Sequence, residues 1–199
     1  MKIPQLKKKP ELKSCHNINW EDNYSWVHQK DILEVLKDSS KLLPEVREYL
    51  EQENNYTEHY LKDTKEYQKK LFDEIKGKIK LDDESLKFTD KQYEYWTKTT
   101  TKGNYSIKLR KKIGSDIIEE IWNGDKEKEK FKTEYFGLGD LEVSYNDKYL
   151  GYSLDLKGSE YFTIYLRDIS SGKLITEKIE DTSGSITFSL DDNYIFYSK

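Results

Sequence analysis

Late in the chain, Ser144-Tyr145-Asn146-Asp147-Lys148-Tyr149-Leu150-Gly151-Tyr152-Ser153 returns as Ser189-Leu190-Asp191-Asp192-Asn193-Tyr194-Ile195-Phe196-Tyr197-Ser198, 45 residues later. Each copy places a polar turn before an alternating run of aromatic and aliphatic residues, the pattern of a strand-turn-strand unit. A period of about 40 to 50 residues built from such units is the spacing of β-propeller blades. These four-stranded antiparallel sheets cannot bury both faces alone and stack in a ring of roughly four to eight. The 199 residues hold too few such units to close a ring. We therefore expect an α+β chain, with antiparallel blades of an incomplete propeller following a helical N-terminal segment.

The helical segment shows in a change of period. From Glu45 onward, Val46, Tyr49, Leu50, Tyr60, Leu61, Tyr67, Leu71 and Ile75 recur mostly at steps of three and four, with Lys and Glu between them, as an amphipathic helix requires. Pro44 suits a first helical turn, and Gly77 suits a C-terminal cap. Asn54-Asn55 is the expected interruption, and a shorter helix is expected after Asp31 from Ile32, Leu33, Val35 and Leu36. Beyond Leu81 the period becomes two. Tyr93 to Thr97 and Tyr105 to Arg110 outline a hairpin around Lys102-Gly103, followed by strands at Ile117–Trp122, Leu141–Ser144, Tyr149–Leu154, Tyr161–Asp168, Leu174–Glu177, Ile186–Ser189 and Tyr194–Tyr197. Turns are expected at Gly124-Asp125, Asn146-Asp147, Lys157-Gly158, Ser171-Gly172, Ser183-Gly184 and Asp191-Asp192-Asn193. Along 161–168, Phe162, Ile164 and Leu166 face one way while Thr163, Tyr165 and Arg167 face the other, which suits a blade packed between two neighbours.

Composition removes several classes of function. Thirty-four basic and thirty-eight acidic residues are interleaved, with a net charge of -4, so no electrostatic footprint for nucleic acid is present. A single Cys15 excludes an internal disulfide framework and fits a reducing compartment. No stretch reaches the ~18 apolar residues of a membrane helix, and no apolar core follows the basic start. We expect a cytoplasmic location, with no nucleic acid and no membrane as partner. The Asn23, Asn55 and Asn104 glycosylation patterns are read as chance. Mean hydropathy is low at -0.96, but a 14% aromatic fraction with sixteen Tyr and four Trp supplies core material.

Ordered motifs then point to a family. Asp22-Asn23-Tyr24-Ser25-Trp26-Val27 resembles an Asp-Asn-Tyr-x-Trp-Leu motif, and Val46-Arg47-Glu48-Tyr49-Leu50-Glu51-Gln52-Glu53-Asn54 a Val-Leu-x-Tyr-Leu-x-x-Glu-Asn helix. Leu71 to Lys80 with Asp82-Asp83 resembles a charged linker into a propeller, and Tyr93-Glu94-Tyr95-Trp96 a first aromatic strand. Gly158-Ser159-Glu160-Tyr161 and Leu166-Arg167-Asp168-Ile169 with Gly172 are similar to the signatures of early blades. Together these resemble the N-terminal third of a prolyl oligopeptidase-family serine peptidase of the oligopeptidase B (protease II) type. Departures include Ser144-Tyr145-Asn146-Asp147 where Ser-Pro-Asp-Gly is common, an expected loss of turn preorganisation. Tyr105-Ser106 stands where Tyr-Pro is usual, and Asn123–Lys132 forms a short Lys/Glu-rich connection.

The resemblance implies residues 1–79 as a helical N-terminal extension with a hinge over Ile75–Leu81, residues 80–199 as the first propeller blades, and a C-terminal α/β-hydrolase domain absent. It implies hydrolysis of short peptides, often after Lys or Arg, by a Ser-Asp-His triad on that absent domain, so this chain alone is expected to be inactive. No Ser has Gly both two before and two after it; His16, His28 and His59 all lie in the front segment. Cys15-His16 reads as an ordinary pair, the His and Cys spacings match no zinc site, and Asp82-Asp83-Glu84 and Asp191-Asp192-Asn193 lack a calcium loop's alternation. No catalytic, cofactor-binding or metal-binding residue is assigned, and no cofactor is expected. Trp20, Trp26, Trp96 and Trp122 are read as core or interface anchors. The expected partners are a separately encoded catalytic-domain fragment or another copy joined through open blade edges. A noncatalytic interaction module and a nonfunctional remnant stand as alternatives.

Overall fold

The computed structural model describes all residues from Met1 to Lys199. The chain divides into two compact units, Met1–Ile79 and Lys80–Lys199.

In the first unit, β1 (Glu11–Cys15) and β2 (Ile18–Asp22) pair antiparallel, with Cys15 opposite Ile18. His16 and Asn17 fill the two-residue turn at φ 49° and 64°, the type I′ geometry that matches strand twist. Cys15-His16 is therefore a strand end followed by a turn residue. This polar hairpin has no clean alternation, so periodicity did not reveal it. Three helices follow: α1 (Ile32–Lys37), α2 (Pro44–Leu61) and α3 (Lys65–Gly77). The buried Gln29 sets the approach to α2, donating to the Lys41 carbonyl at 2.9 Å and accepting from the Leu43 amide at 3.0 Å.

The interruption falls at residues 62–64, a single 3-10 turn, and not at Asn54-Asn55. Asn costs a helix only a few tenths of a kcal/mol more than its neighbours, whereas Thr64 draws its hydroxyl onto the Leu61 carbonyl at 2.7 Å and competes with the helical ladder. Gly77 is the last helical residue of α3, and Lys78 serves as the cap, its amide bonding the Ile75 and Lys76 carbonyls.

The second unit carries three sheets. In the first, β5 (Tyr93–Thr99), β6 (Ile107–Lys112) and β7 (Ile118–Asn123) form a meander, and the short β3 (Asp83–Glu84) and β4 (Phe88–Asp90) share the outer edge of β5. Next comes α4 (Gly124–Phe131). The second sheet is the meander β8 (Gly137–Val143), β9 (Tyr149–Asp155), β10 (Phe162–Asp168) and β11 (Ile179–Thr182). The third is the pair β12 (Thr187–Phe188) and β13 (Ile195–Phe196).

Two expectations change here. The run from Asn123 to Lys132 contains a helix, so Gly124-Asp125 is a helix start and not a turn. Asn123 caps it by accepting from the Lys126 amide at 3.2 Å, acids occupy the first turn and lysines the last, and both features favour a short helix. Residues 174–177 form no strand beyond a bridge between Leu174 and Arg167. Pairing on that edge of β10 continues in β11, with Ile179 opposite Ile164 and Thr182 opposite Phe162.

One core cluster, Tyr95, Ile121, Trp122, Phe136, Leu150, Tyr152 and Leu154, joins the first two sheets. A second, Ile164, Leu166 and Ile186, joins the second sheet to the third. The division of β10 between neighbours is as its alternation implied. Ile164 and Leu166 serve one cluster, while Tyr165 stacks on Tyr152 at 5.2 Å in the other. Each buried large apolar side chain contributes roughly 1.5–3 kcal/mol.

Candidate functional site

The repeated decapeptide builds two turns that correspond bond for bond. In the first, the Ser144 amide donates to the Tyr149 carbonyl at 2.9 Å and the Asp147 amide to the Ser144 carbonyl at 3.0 Å. The Ser144 hydroxyl accepts from the Tyr149 amide and donates to Asn146 Oδ1. In the second turn Ser189, Asp191, Asp192 and Tyr194 make the same set. Asp147 and Asp192 sit at φ 61° and 58°, the left-handed position a Gly would take most easily. At Ser144–Asp147, where Pro and Gly are missing, bonds from the Ser144 hydroxyl and Asn146 side chain hold the turn.

Each left-handed aspartate reaches the preceding sheet. The Asp192 carboxylate accepts from the amides of Tyr145 at 2.6 Å and Asn146 at 2.8 Å. Asp147 accepts from the Tyr95 hydroxyl at 3.0 Å, and its carbonyl accepts from Arg110 at 2.6 Å. Burial, followed by the adjacent Asp147 carboxylate, holds the Tyr95 hydroxyl well above the usual tyrosine range. Asp140 adds a further link by accepting from the Ile186 amide at 2.9 Å, and the Ser153 hydroxyl donates to the Gly184 carbonyl at 2.6 Å.

Between the first and second sheets lies a cavity of about 210 Å³ lined by Phe88, Asp90, Tyr95, Trp96, Leu141 and Glu142. Trp96 Nε1 is buried without a protein acceptor. Burial, with Asp140 nearby, raises the Glu142 carboxyl above its ordinary value. Next to the main core, α4 inserts Glu127, only 4% exposed, which pairs with Arg167 at 2.6 Å.

The two blade signatures build turns. Asp155, 2% exposed, accepts from the amides of Lys157, Gly158 and Glu160 and so folds the Gly-Ser-Glu loop around itself. Asp168 accepts from the Ser170 hydroxyl and the Ser171 amide, which hold its carboxyl down at about 2. Of the tryptophans, Trp96 and Trp122 are buried, Trp26 donates to the Lys7 carbonyl, and Trp20 is 45% exposed and anchors no core cluster.

These residues tie turn to sheet and helix to core within the second unit. The nearest approach to a nucleophile elbow, Gly151-Tyr152-Ser153-Leu154-Asp155, lies within β9, where the buried Ser153 is committed to Gly184. An elbow needs its Ser on a sharp exposed turn between strand and helix. His16 lies in the β1–β2 turn, His28 ends a 3-10 turn, and His59 lies in the last turn of α2. No group of three or more His, Cys, Asp or Glu could hold a metal ion.

Stacked antiparallel meanders joined by turn-to-sheet bonds fit part of a β-propeller. A family model described as the prolyl oligopeptidase N-terminal β-propeller domain matches residues 4–199, and the chain belongs to that family. It is similar to dipeptidyl aminopeptidase BI of Pseudoxanthomonas mexicana, 26% identical over 209 residues, covering 98% of this chain and 28% of that protein. It is also similar to Protease 2 of Moraxella lacunata, 23% identical over 205 residues, covering 100% and 28%. Among solved structures, oligopeptidase B from Leishmania major matches with a TM-score of 0.81 at 22% identity, covering 98% of this chain and 29% of that one. The chain thus spans just over a quarter of the curated relatives it matches. No helix is long and apolar enough to cross a membrane.

Proposed function

We propose that this chain is the N-terminal gate of an oligopeptidase B-like serine endopeptidase that hydrolyses short peptides. Residues 80–199 would form its leading blades, residues 1–79 an arm that holds an α/β-hydrolase domain, and Ile75–Leu81 the hinge. The carrying observation is the family match over residues 4–199. The exposed apolar stripe of the arm agrees with it: Tyr60, Tyr67, Phe72 and Ile75 are 54–72% exposed and no residue of α3 is buried. A propeller placed over a hydrolase cleft excludes folded proteins by size, while the nucleophile, base and oxyanion donors come from the hydrolase domain. The chain alone is then inert toward peptides and operates in the cytoplasm, where its exposed Cys15 stays reduced.

Two measurements test this. Purified protein is assayed on a dibasic fluorogenic peptide, where turnover that survives repurification refutes the inertness. Co-expression with an α/β-hydrolase domain of the same family should restore hydrolysis, and absence of any association would count against the gate. A second reading, a noncatalytic module that completes another chain, draws on one observation: β12 and β13 form a two-stranded sheet with Tyr194 and Phe196 exposed, and such an edge accepts added strands.

A further inference from the structure

We propose that the backbone amides of Leu190 and Asp191 form a carboxylate-binding site for an aspartate in the left-handed position of another β-hairpin turn, the turn of an adjoining blade. The template is internal. Asp192 places its two carboxylate oxygens on the successive amides of Tyr145 and Asn146, one oxygen to each, at 2.6 and 2.8 Å. Successive N–H groups in a turn make a concavity for anions. Because the turn at 189–194 repeats the bonds of the turn at 144–149, its backbone presents the equivalent pair at Leu190 and Asp191. No other residue accepts from these two amides, although Asp191's own carboxylate also bonds its own amide and must yield to an incoming one, and Leu190 is 79% exposed. The occupant follows from continuity: the same surface one repeat earlier is already filled by a left-handed aspartate on a hairpin 45 residues on.

One difference sets the strength. The first turn carries neutral Asn146 where the second carries Asp191, whose carboxylate is engaged by Ser189 and Asn193 but remains charged. The incoming carboxylate meets this charge, so the site is weaker than its template and gains from added salt.

The test uses the ¹⁵N-labelled 199-residue protein and a disulfide-cyclised synthetic hairpin with the sequence of residues 186–197. The Leu190 and Asp191 amide resonances should move downfield and saturate, a peptide with D192N should leave them in place, and D191N in the protein should tighten binding several-fold. No movement at the two amides, or equal movement with the D192N peptide or with acetate, overturns the proposal. In the protein, D192A should speed exchange of the Tyr145 and Asn146 amides at least ~10-fold; an unchanged rate removes the premise and sinks the proposal too. The inference rests on the repeat and not on peptide hydrolysis, so a failed complementation leaves it standing, and a failed titration leaves the peptidase reading standing.

Discussion

Glu127 and Arg167 lie 40 residues apart and meet in the interior at 2.6 Å, with the second guanidinium nitrogen on the Ile121 carbonyl. Two charges in such a place are costly apart and tolerable together. E127A should therefore destabilise the protein by about 3–5 kcal/mol in urea unfolding, while E127L/R167M, which removes both charges, should cost much less. Tyr152 gives a pH prediction. Burial pushes its hydroxyl up to about 12, above the ordinary value near 10. The folded state therefore keeps the proton where the unfolded chain releases it, so this contribution is whole below pH ~10 and is lost as pH rises toward 12. Y152F keeps the stack on Tyr165 and should flatten the alkaline fall in unfolding midpoint between pH 10 and 12. None of this was legible residue by residue. Arg167 reads as one more charged strand residue, and Glu127 as one of many acids in a Lys/Glu run.

At the scale of elements, local chemistry was legible where backbone and side chain settle matters within a few residues. The two repeated turns, the β5–β6 hairpin and the amphipathic helices came from spacing alone. The misses share a cause. The break at Thr64 and the helix α4 each depend on a single side-chain bond or a cap, neither of which changes the hydrophobic period. The end of α4 offers a test. Lys132 is exposed and caps the helix at φ 49°, where a β-carbon strains the backbone and Gly does not. K132G should raise stability by about 0.5–1 kcal/mol, and an unchanged or lower melting point would count against left-handed strain at that position.

For the whole molecule, the question is what covers the apolar face of α3. Leu71 and Ile75 are 41% and 54% exposed, so L71D/I75D should leave the chain's own unfolding midpoint nearly unchanged, within about 0.5 kcal/mol per site. The same pair should abolish co-purification with an α/β-hydrolase domain. Retained association with the double variant would place the docking surface elsewhere. By itself the sequence determined the blade period, the turn chemistry, the two hydrophobic periods and the family motifs, because sterics and short-range hydrogen bonds act between residues close in the chain. Only the tertiary structure decided that Asp192 spans to Tyr145 and Asn146 and that Glu127 finds Arg167. It also decided which partners the two faces of β10 meet, Ile186 for Leu166 and Tyr152 for Tyr165. Those partners are chosen by packing across tens of residues, where many pairings share one polarity pattern and only the stacked sheets select among them.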